Sequence, residues 1–135
     1  MKYILVIDHI GTGGAERILL DYYHYLVYKG NEVRIFCLVG FAGQSKWTKG
    51  IDVVYGAPAD CDNLIRKSLQ QRRTKSLLQK LTDSFHPDVL FSFLEKSNIL
   101  VSKVRTSAHK VMTVHNVLSI QYTKVHNPLV RRMVY

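Results

Sequence analysis

The 135-residue chain lacks the features that define several protein classes. It has two cysteines, Cys37 and Cys61, with no C-x-x-C pair and no accompanying histidine cluster, so a reduced, cytoplasmic protein is expected. No apolar run approaches the ~20 residues that are needed to span a bilayer. The N-terminus MKYILVIDHI has no A-x-A site and runs directly into a glycine turn, which indicates a strand rather than a signal peptide.

Acidic residues are scarce where basic residues are dense. Lys and Arg total 19 against 10 Asp and Glu, which gives a formal net charge of +9. The segment from Arg66 to Lys80 carries six basic residues and no acid, and no acid follows Glu95. Such blocks favour an anionic partner, namely nucleic acid, phospholipid or a phosphorylated substrate, although either block alone is equally typical of a solvated helix face.

Five short apolar runs predict the strands of one sheet. The first is continuously apolar and the second and fourth nearly so, which is typical of parallel strands buried on both faces. Between the first two runs, apolar residues recur with helical period until Gly30, where a left-handed helix end is expected. The runs are residues 3–7, 33–39, 51–55, 88–93 and 110–114. The predicted inward stripe of the helix is Ala15, Ile18, Leu19, Tyr22, Tyr23, Leu26 and Val27.

The rest of the chain predicts a loop over 40–50 and further helices. A helix over 75–85 should stop before Pro87, preceded by a segment at 70–76 that has no apolar residue and is exposed, bent or mobile. A short helix is expected after the fourth strand, and another begins at Pro128. The predicted inward residues are Leu77, Leu78, Leu81 and Phe85 in the first of these helices, and Ile99, Leu100, Val101 and Val104 in the second.

This alternation predicts a single α/β domain over residues 1–135, with a doubly wound parallel sheet between two helix layers in the Rossmann-like manner. In such sheets ligands bind beyond the C-terminal ends of the strands, where the strand order reverses. The segments 8–14, 94–98 and 115–120 are therefore expected to form the binding crevice.

The glycine turn DHIGTGGAER, at residues 8–17, is the first candidate for that crevice. Glycines between a strand and a helix allow a tight turn and close approach of a ligand, and the helix N-terminus favours an anion. Glu16 stands where a dinucleotide fingerprint has its last glycine, and the second strand has no terminal acid, so an NAD-dependent oxidoreductase is disfavoured. No G-K-[ST] follows, which excludes a P-loop. The simpler alternative is a tight turn in which Glu16 complements the helix dipole.

Polar residues at the other strand ends complete the candidate site. His115 directly follows the fifth strand, where its imidazole could hydrogen-bond a sugar hydroxyl or serve a purely structural role. Asn116 beside it could bind a ligand or form a turn. Glu95 and Asn98 could reach the crevice or simply begin a helix, and His9 is similarly placed at the end of the first strand. The remaining histidines show no metal-ligand spacing.

Three segments together resemble the N-terminal domain of GT-B-fold glycosyltransferases, particularly glycosyltransferase family 4. They are GGAERILLDYYHYLVYKGNEVRIFCL, PDVLFSFLEKSNIL and KVMTVHN, in that order along nearly the whole chain. The resemblance implies an acceptor-side domain facing a second domain that binds a UDP- or GDP-sugar, with no metal or other cofactor. It implies that Gly13 and Gly14 approach the donor diphosphate and the acceptor, and that His115 is the catalytic residue contacting the transferred sugar. Glu16, Asn116 and Glu95 complete the expected substrate-binding set.

The sequence departs from that family in lacking the donor-binding half. The E-x7-E motif of the second domain is absent, and 135 residues cannot contain that domain. The chain is therefore expected to be a fragment, a truncated reading frame or one subunit of a pair, incomplete at its C-terminus and inactive alone. The family's acceptors, polysaccharides or lipid-linked glycans of the cell surface, imply peripheral contact of the basic segments with anionic lipid on the inner face of the plasma membrane.

Nucleic-acid binding and a non-catalytic binding role are the alternatives to a glycosyltransferase. Nucleic acid is not expected as a partner, because no aromatic residues interleave with the basic ones and no helix-turn-helix or RNA-binding signature occurs. A non-catalytic Rossmann-like subunit, binding a membrane or a protein through its basic face, is the alternative function.

Overall fold

The chain alternates strands and helices in the predicted order. A computed structural model describes residues 1–40, 45–56 and 63–114. Besides a 3-10 turn at Lys46–Thr48, within the predicted loop, the described elements are β1 (Lys2–Ile7), α1 (Gly14–Tyr28), β2 (Glu32–Cys37), β3 (Val53–Tyr55), α2 (Leu64–Phe85), β4 (Val89–Phe93), α3 (Glu95–Ser102) and β5 (His109–Thr113). The helix predicted from Pro128 lies outside the described residues.

The five strands form one parallel sheet in the order β3-β2-β1-β4-β5. β1 is central, and its Leu5 pairs with Ile35 of β2 on one side and Phe91 of β4 on the other. The chain first runs outward from β1 to β3 and then returns to β4, so the strand order reverses between β1 and β4. This confirms the predicted doubly wound, Rossmann-like α/β fold.

Two apolar clusters fill the space on either side of the sheet. Alternate residues of β1 point to opposite faces, and both sets are buried, which is why this strand is apolar at every position. On one face Leu5 and Ile7 pack with Leu19 of α1. On the other face Ile4 and Val6 pack with Leu78 of α2 and Val101 of α3. The predicted three layers are therefore present.

The inward face of α1 differs from the predicted stripe. Leu19 and Leu26 are buried as expected, but Ile18 and Val27 are exposed and Leu20 is buried instead. The reason is Glu16, which occupies an inward position one turn before Leu19 and Leu20. Hydrophobic periodicity considers only apolar residues, so it does not include a buried carboxylate. The predicted stripe is therefore rotated around the helix by about one residue from the observed buried face.

α2 is one continuous helix that begins eleven residues before the predicted start at 75. Asn63 caps it, since its side chain accepts a hydrogen bond from the Ile65 backbone N–H at 3.0 Å. The segment at 70–76 is helical, with Thr74 buried, Gln70 half-buried and the other residues exposed. Gln, Arg and Lys are good helix formers, so this segment is helical although it has no apolar stripe. Among the predicted inward residues, Leu78 is buried and Leu77 is exposed. The helix ends at His86, in left-handed backbone conformation, before Pro87.

α3 and β5 lie at the edge of the described sheet. Val101 and Val104 are buried as predicted, whereas Ile99 is exposed, because Ser97 and Val101 define the inward face and Ile99 lies opposite to it. Every residue of β5 is exposed or half-buried. The prediction of a fifth strand was correct, but the described residues do not bury it as they bury β1.

Candidate functional site

Two of the three predicted crevice segments contact each other at the C-terminal edge of the sheet. Asp8, directly after β1, accepts hydrogen bonds through Oδ1 from the Ser97 backbone N–H at 2.7 Å and from the Ser97 hydroxyl at 2.6 Å. Because Ser97 lies in the first turn of α3, the carboxylate of Asp8 serves as the cap of that helix. The third segment, 115–120, with the predicted site residues His115 and Asn116, lies outside the described residues.

Asp8 is a site residue that sequence reasoning missed. α3 begins after Leu94, whose side chain cannot cap a helix and whose backbone has a φ of +78° and a ψ of 165°. A non-glycine residue in this region costs on the order of 1–3 kcal/mol and persists only where its surroundings hold it. The two hydrogen bonds that Ser97 donates to Asp8 fix the turn that contains Leu94. An aspartate directly after a strand was the available signal, but its partner is 89 residues away.

The glycine turn encloses a carboxylate of the chain itself. Gly13 is the residue before α1 and Gly14 is its first residue. The Glu16 side chain folds back over this turn and is only 5% exposed. A Cβ on Gly13 would collide with Oε2 of Glu16, whereas a Cβ on Gly14 would meet nothing within 4 Å. The simpler alternative for this turn, in which Glu16 complements the helix dipole, matches this geometry. The ligand-binding roles of Gly13 and Gly14 remain predictions.

His9 and Glu16 form a pair at the C-terminal end of β1. The Nε2 atom of His9 lies 3.1 Å from Oε1 of Glu16, and the imidazole is mostly exposed while the carboxylate is buried. The two side chains form an ion pair when the imidazole is protonated. A buried carboxylate thus orients an exposed histidine at the end of the central strand.

Glu95 and Asn98 follow β4 as predicted, and α3 gives them different environments. Glu95 is the first residue of α3 and is half-buried at the crevice edge. Asn98 is committed to the fold: its Oδ1 accepts from the Ser92 hydroxyl at 2.6 Å and its Nδ2 donates to the Thr113 carbonyl at 3.0 Å. The Thr113 hydroxyl in turn donates to the Ser92 carbonyl at 3.0 Å. This network joins β4, α3 and the end of β5, two residues before His115.

Cys37 is the last residue of β2, and its environment makes its thiol unreactive. Its thiol is buried and donates to the Val39 carbonyl at 3.0 Å. Burial, with smaller contributions from the nearby carboxylates of Asp8 and Glu16, raises the pKa of the Cys37 thiol to about 11. The thiol therefore stays protonated at neutral pH and is a poor nucleophile.

The described ranges contain neither a cluster of metal-ligand side chains nor a transmembrane helix. Across residues 1–40, 45–56 and 63–114, no three His, Cys, Asp or Glu side chains group together as metal ligands. No helix in these ranges combines the length and the apolar composition that a transmembrane span requires.

Known proteins match this chain in fold and not in sequence. No protein-family model matches the chain, and no curated protein matches it either. Among solved structures, the apo form of the lipopolysaccharide outer core galactosyltransferase WaaB is similar, with a TM-score of 0.59 and 15% identity. The match covers 83% of this chain and 33% of that one. The fold is that of a GT-B N-terminal domain.

A second glycosyltransferase structure shares this GT-B-type domain. It is an alpha-glucosyltransferase in complex with UDP and a 13-mer DNA containing an HMU base. The TM-score is 0.51 at 13% identity, and the match covers 97% of this chain and 35% of that chain. The chain thus spans about a third of the length of either enzyme. At this level of identity the likeness establishes the GT-B-type fold, in agreement with the resemblance seen in the sequence.

Proposed function

We propose that this GT-B-type domain is the acceptor-side part of a glycosyltransferase that transfers a sugar from a nucleotide-sugar to a polysaccharide or lipid-linked acceptor in cell-surface glycan assembly. The observation that carries the proposal is the match of nearly the whole chain to two sugar-transferring enzymes of the same fold. UDP in one of those structures supports a UDP-sugar as the donor, with a GDP-sugar as the other candidate. No metal or other cofactor is proposed.

The crevice supplies hydrogen-bonding groups suited to a carbohydrate. The exposed imidazole of His9 and the half-buried carboxylate of Glu95 are of the kind that hydrogen-bonds to sugar hydroxyls, and the buried carboxylate of Glu16 orients His9. Gly13 and Gly14 leave the backbone open at the start of α1. We propose His115 as the catalytic residue contacting the transferred sugar and Asn116 as its neighbour in substrate binding.

The donor half of the site is proposed to come from a second domain or a partner subunit. The chain spans about a third of the two enzymes, and stabilisation of the departing diphosphate would be supplied largely by that other half. The chain alone is therefore expected to bind an acceptor glycan without transferring a sugar to it.

NMR titration of the chain with acceptor oligosaccharides tests this proposal. The backbone amides of Gly11 to Ala15 and of Glu95 to Asn98 are expected to shift, and His115→Ala should weaken binding about tenfold, because one directed hydrogen bond in a site is worth on the order of 1.4 kcal/mol. The matched control is His109→Ala, which removes an exposed histidine at the opposite end of β5. Equal affinity in the two variants would refute the role of His115.

A non-catalytic or auxiliary function in membrane binding is supported by one surface. At the N-terminal end of α2, Leu64, Ile65 and Leu69 are 81%, 71% and 51% exposed, and Arg66 and Lys67 lie among them. We name residues 64–69 the α2 tip. Exposed apolar side chains with interspersed basic ones are typical of helices that lie in the interface of an anionic membrane. Peripheral membrane contact through the α2 tip is compatible with a lipid-linked acceptor.

A further inference from the structure

A groove with five basic side chains lies away from the proposed sugar crevice. It has a volume of about 640 Å³ and is formed by residues 72–83 of α2 and the loop between α3 and β5. α2 ends and β5 begins at the N-terminal edge of the sheet, so the groove lies toward the edge opposite the crevice. We call it the basic groove; its cations are Arg72, Lys75, Lys80, Lys103 and Arg105.

The charge of the basic groove is largely uncompensated. Asp83 is the single carboxylate among the lining residues, and its Oδ1 accepts a hydrogen bond from Gln79 at 2.8 Å. None of the five cations forms an ion pair with a carboxylate in the described part of the chain, whereas Arg34 elsewhere pairs with Asp52 at 3.3 Å. Five positive charges and one negative charge therefore converge on one concavity.

The arrangement differs from a solvated helix face because two separate elements are locked together. Gln79 on α2 donates to the Arg105 carbonyl at 2.8 Å and accepts from the Arg105 N–H at 2.9 Å. On the other side of the loop, Lys110 donates to the Val104 carbonyl at 2.6 Å. These bonds use the loop backbone, so the side chains of Lys103 and Arg105 remain available. Holding the loop against α2 before binding reduces the entropy that a ligand must offset when it orders the two walls.

The lining of the groove indicates the chemistry of its ligand. No aromatic or aliphatic residue lines it, so it has no surface for stacking a nucleobase or for burying an acyl chain. It is concave, unlike the apolar and exposed α2 tip. Ser76 and Gln79 add neutral polar groups beside the cations. We propose that the basic groove binds a compact chain of three or more phosphate groups, recognised by charge and independently of any attached base.

Calorimetric titration of the full chain at about 0.15 M salt tests the ligand class. Inorganic tripolyphosphate and ATP are expected to bind with affinities within about threefold of each other, and AMP at least about tenfold more weakly, because affinity should follow the number of phosphates. AMP binding as tightly as ATP would show that the base is recognised and would overturn the proposal. Absence of tripolyphosphate binding at this salt concentration would also overturn it.

Two double variants with equal charge loss test the location. Lys103→Ala/Arg105→Ala removes one wall of the groove, while its backbone bonds to Gln79 are retained. Arg66→Ala/Lys67→Ala removes two charges from the α2 tip, on the same helix as the other wall. The first variant is expected to weaken tripolyphosphate binding at least about tenfold and the second less than about twofold.

Two other outcomes of the variant experiment contradict the proposal. If both double variants weaken tripolyphosphate binding equally, the ligand is attracted by the net charge of the protein and not bound at the basic groove. Binding of phosphatidylglycerol vesicles that depends on Lys103 and Arg105, without tripolyphosphate binding, would assign the groove to a membrane. The basic groove and the proposed sugar crevice share no residues, so either proposal can fail without the other.

Discussion

The buried carboxylate of Glu16 lies 3.1 Å from the exposed imidazole of His9, and both side chains lie against the glycine turn that joins β1 to α1. The two glycines at the start of α1 consequently have unequal roles. A side chain at Gly13 would have to displace the end of the buried Glu16 side chain, whereas Gly14 has open space around it. The glycine turn resembles a phosphate-binding loop in sequence, but in this structure the Glu16 carboxylate packs against it.

Alanine substitutions at the two glycines should therefore have opposite effects. Gly13→Ala is expected to lower the free energy of unfolding by about 1–2 kcal/mol, because its Cβ displaces the buried Glu16 carboxylate. Gly14→Ala should be neutral or stabilise the fold by up to about 1 kcal/mol, since the position is helical and unobstructed. Urea denaturation measures both. A double-mutant cycle is the control: in a Glu16→Ala background the cost of Gly13→Ala should largely disappear.

Asp8→Ala should destabilise α3 more than Ser97→Ala does. The first change removes both hydrogen bonds to Ser97, including the one that satisfies a backbone N–H in the first turn of the helix, and about 1–3 kcal/mol is expected. The second change removes only the hydroxyl bond and should cost about 1 kcal/mol. Amide hydrogen exchange across Glu95–Ser102 reports the difference. Equal exchange rates in the two variants would show that the Asp8 carboxylate does not cap the helix.

The protonated state of Cys37 predicts how stability depends on alkaline pH. The unfolded thiol loses its proton near its ordinary value of 9.0, whereas burial raises the pKa of the folded thiol to about 11. Between these values the unfolded chain binds fewer protons than the folded chain, so stability falls as the pH rises, by up to roughly 3 kcal/mol. Denaturation of wild type and Cys37→Ala from pH 8 to pH 11 should show this loss in the wild type alone, on top of any slope common to both.

Thiol labelling gives an independent check on Cys37. In a Cys61→Ala background the remaining thiol should react slowly with Ellman's reagent at pH 8 until denaturant is added, because it is buried and protonated. Rapid labelling of the native protein would contradict the environment described for this residue.

The α2 tip should bind anionic membranes through its exposed apolar residues. Leu64→Gln/Ile65→Gln is expected to reduce sedimentation with phosphatidylglycerol vesicles at least about tenfold, since burial of each side chain in the interface is worth on the order of 1.5–3 kcal/mol. The control is Lys103→Ala/Arg105→Ala, which leaves the tip intact and should retain binding. Unchanged sedimentation of the glutamine variant would exclude insertion of the tip.

Sequence reasoning was accurate for elements whose signal is local and failed where a polar residue occupies an inward position. The apolar runs identified the five described strands. The run of β1 is continuously apolar because this strand is covered on both faces of the sheet. The predicted stripe on α1 was displaced because Glu16 is buried. The predicted start of α2 was too late because residues 70–76 include no apolar residue, which interrupts the hydrophobic period. A helix segment that forms through intrinsic helix propensity and the Asn63 cap shows little periodicity of apolar residues in its sequence. Hydrophobic periodicity therefore does not reveal where such a helix begins.

The sequence by itself determined the layer order and the parallel sheet, because a helix between two strands requires a crossover and hence parallel pairing. That a ligand binds at the C-terminal edge of the sheet stays a prediction. Only the tertiary structure decided which side chains meet at that edge. Asp8 reaches Ser97 because β1 and β4 pair side by side, and Lys103 and Arg105 join the cations of α2 because Gln79 holds their loop. Such partners are far apart in the chain, and they come together only when the sheet and its covering helices pack.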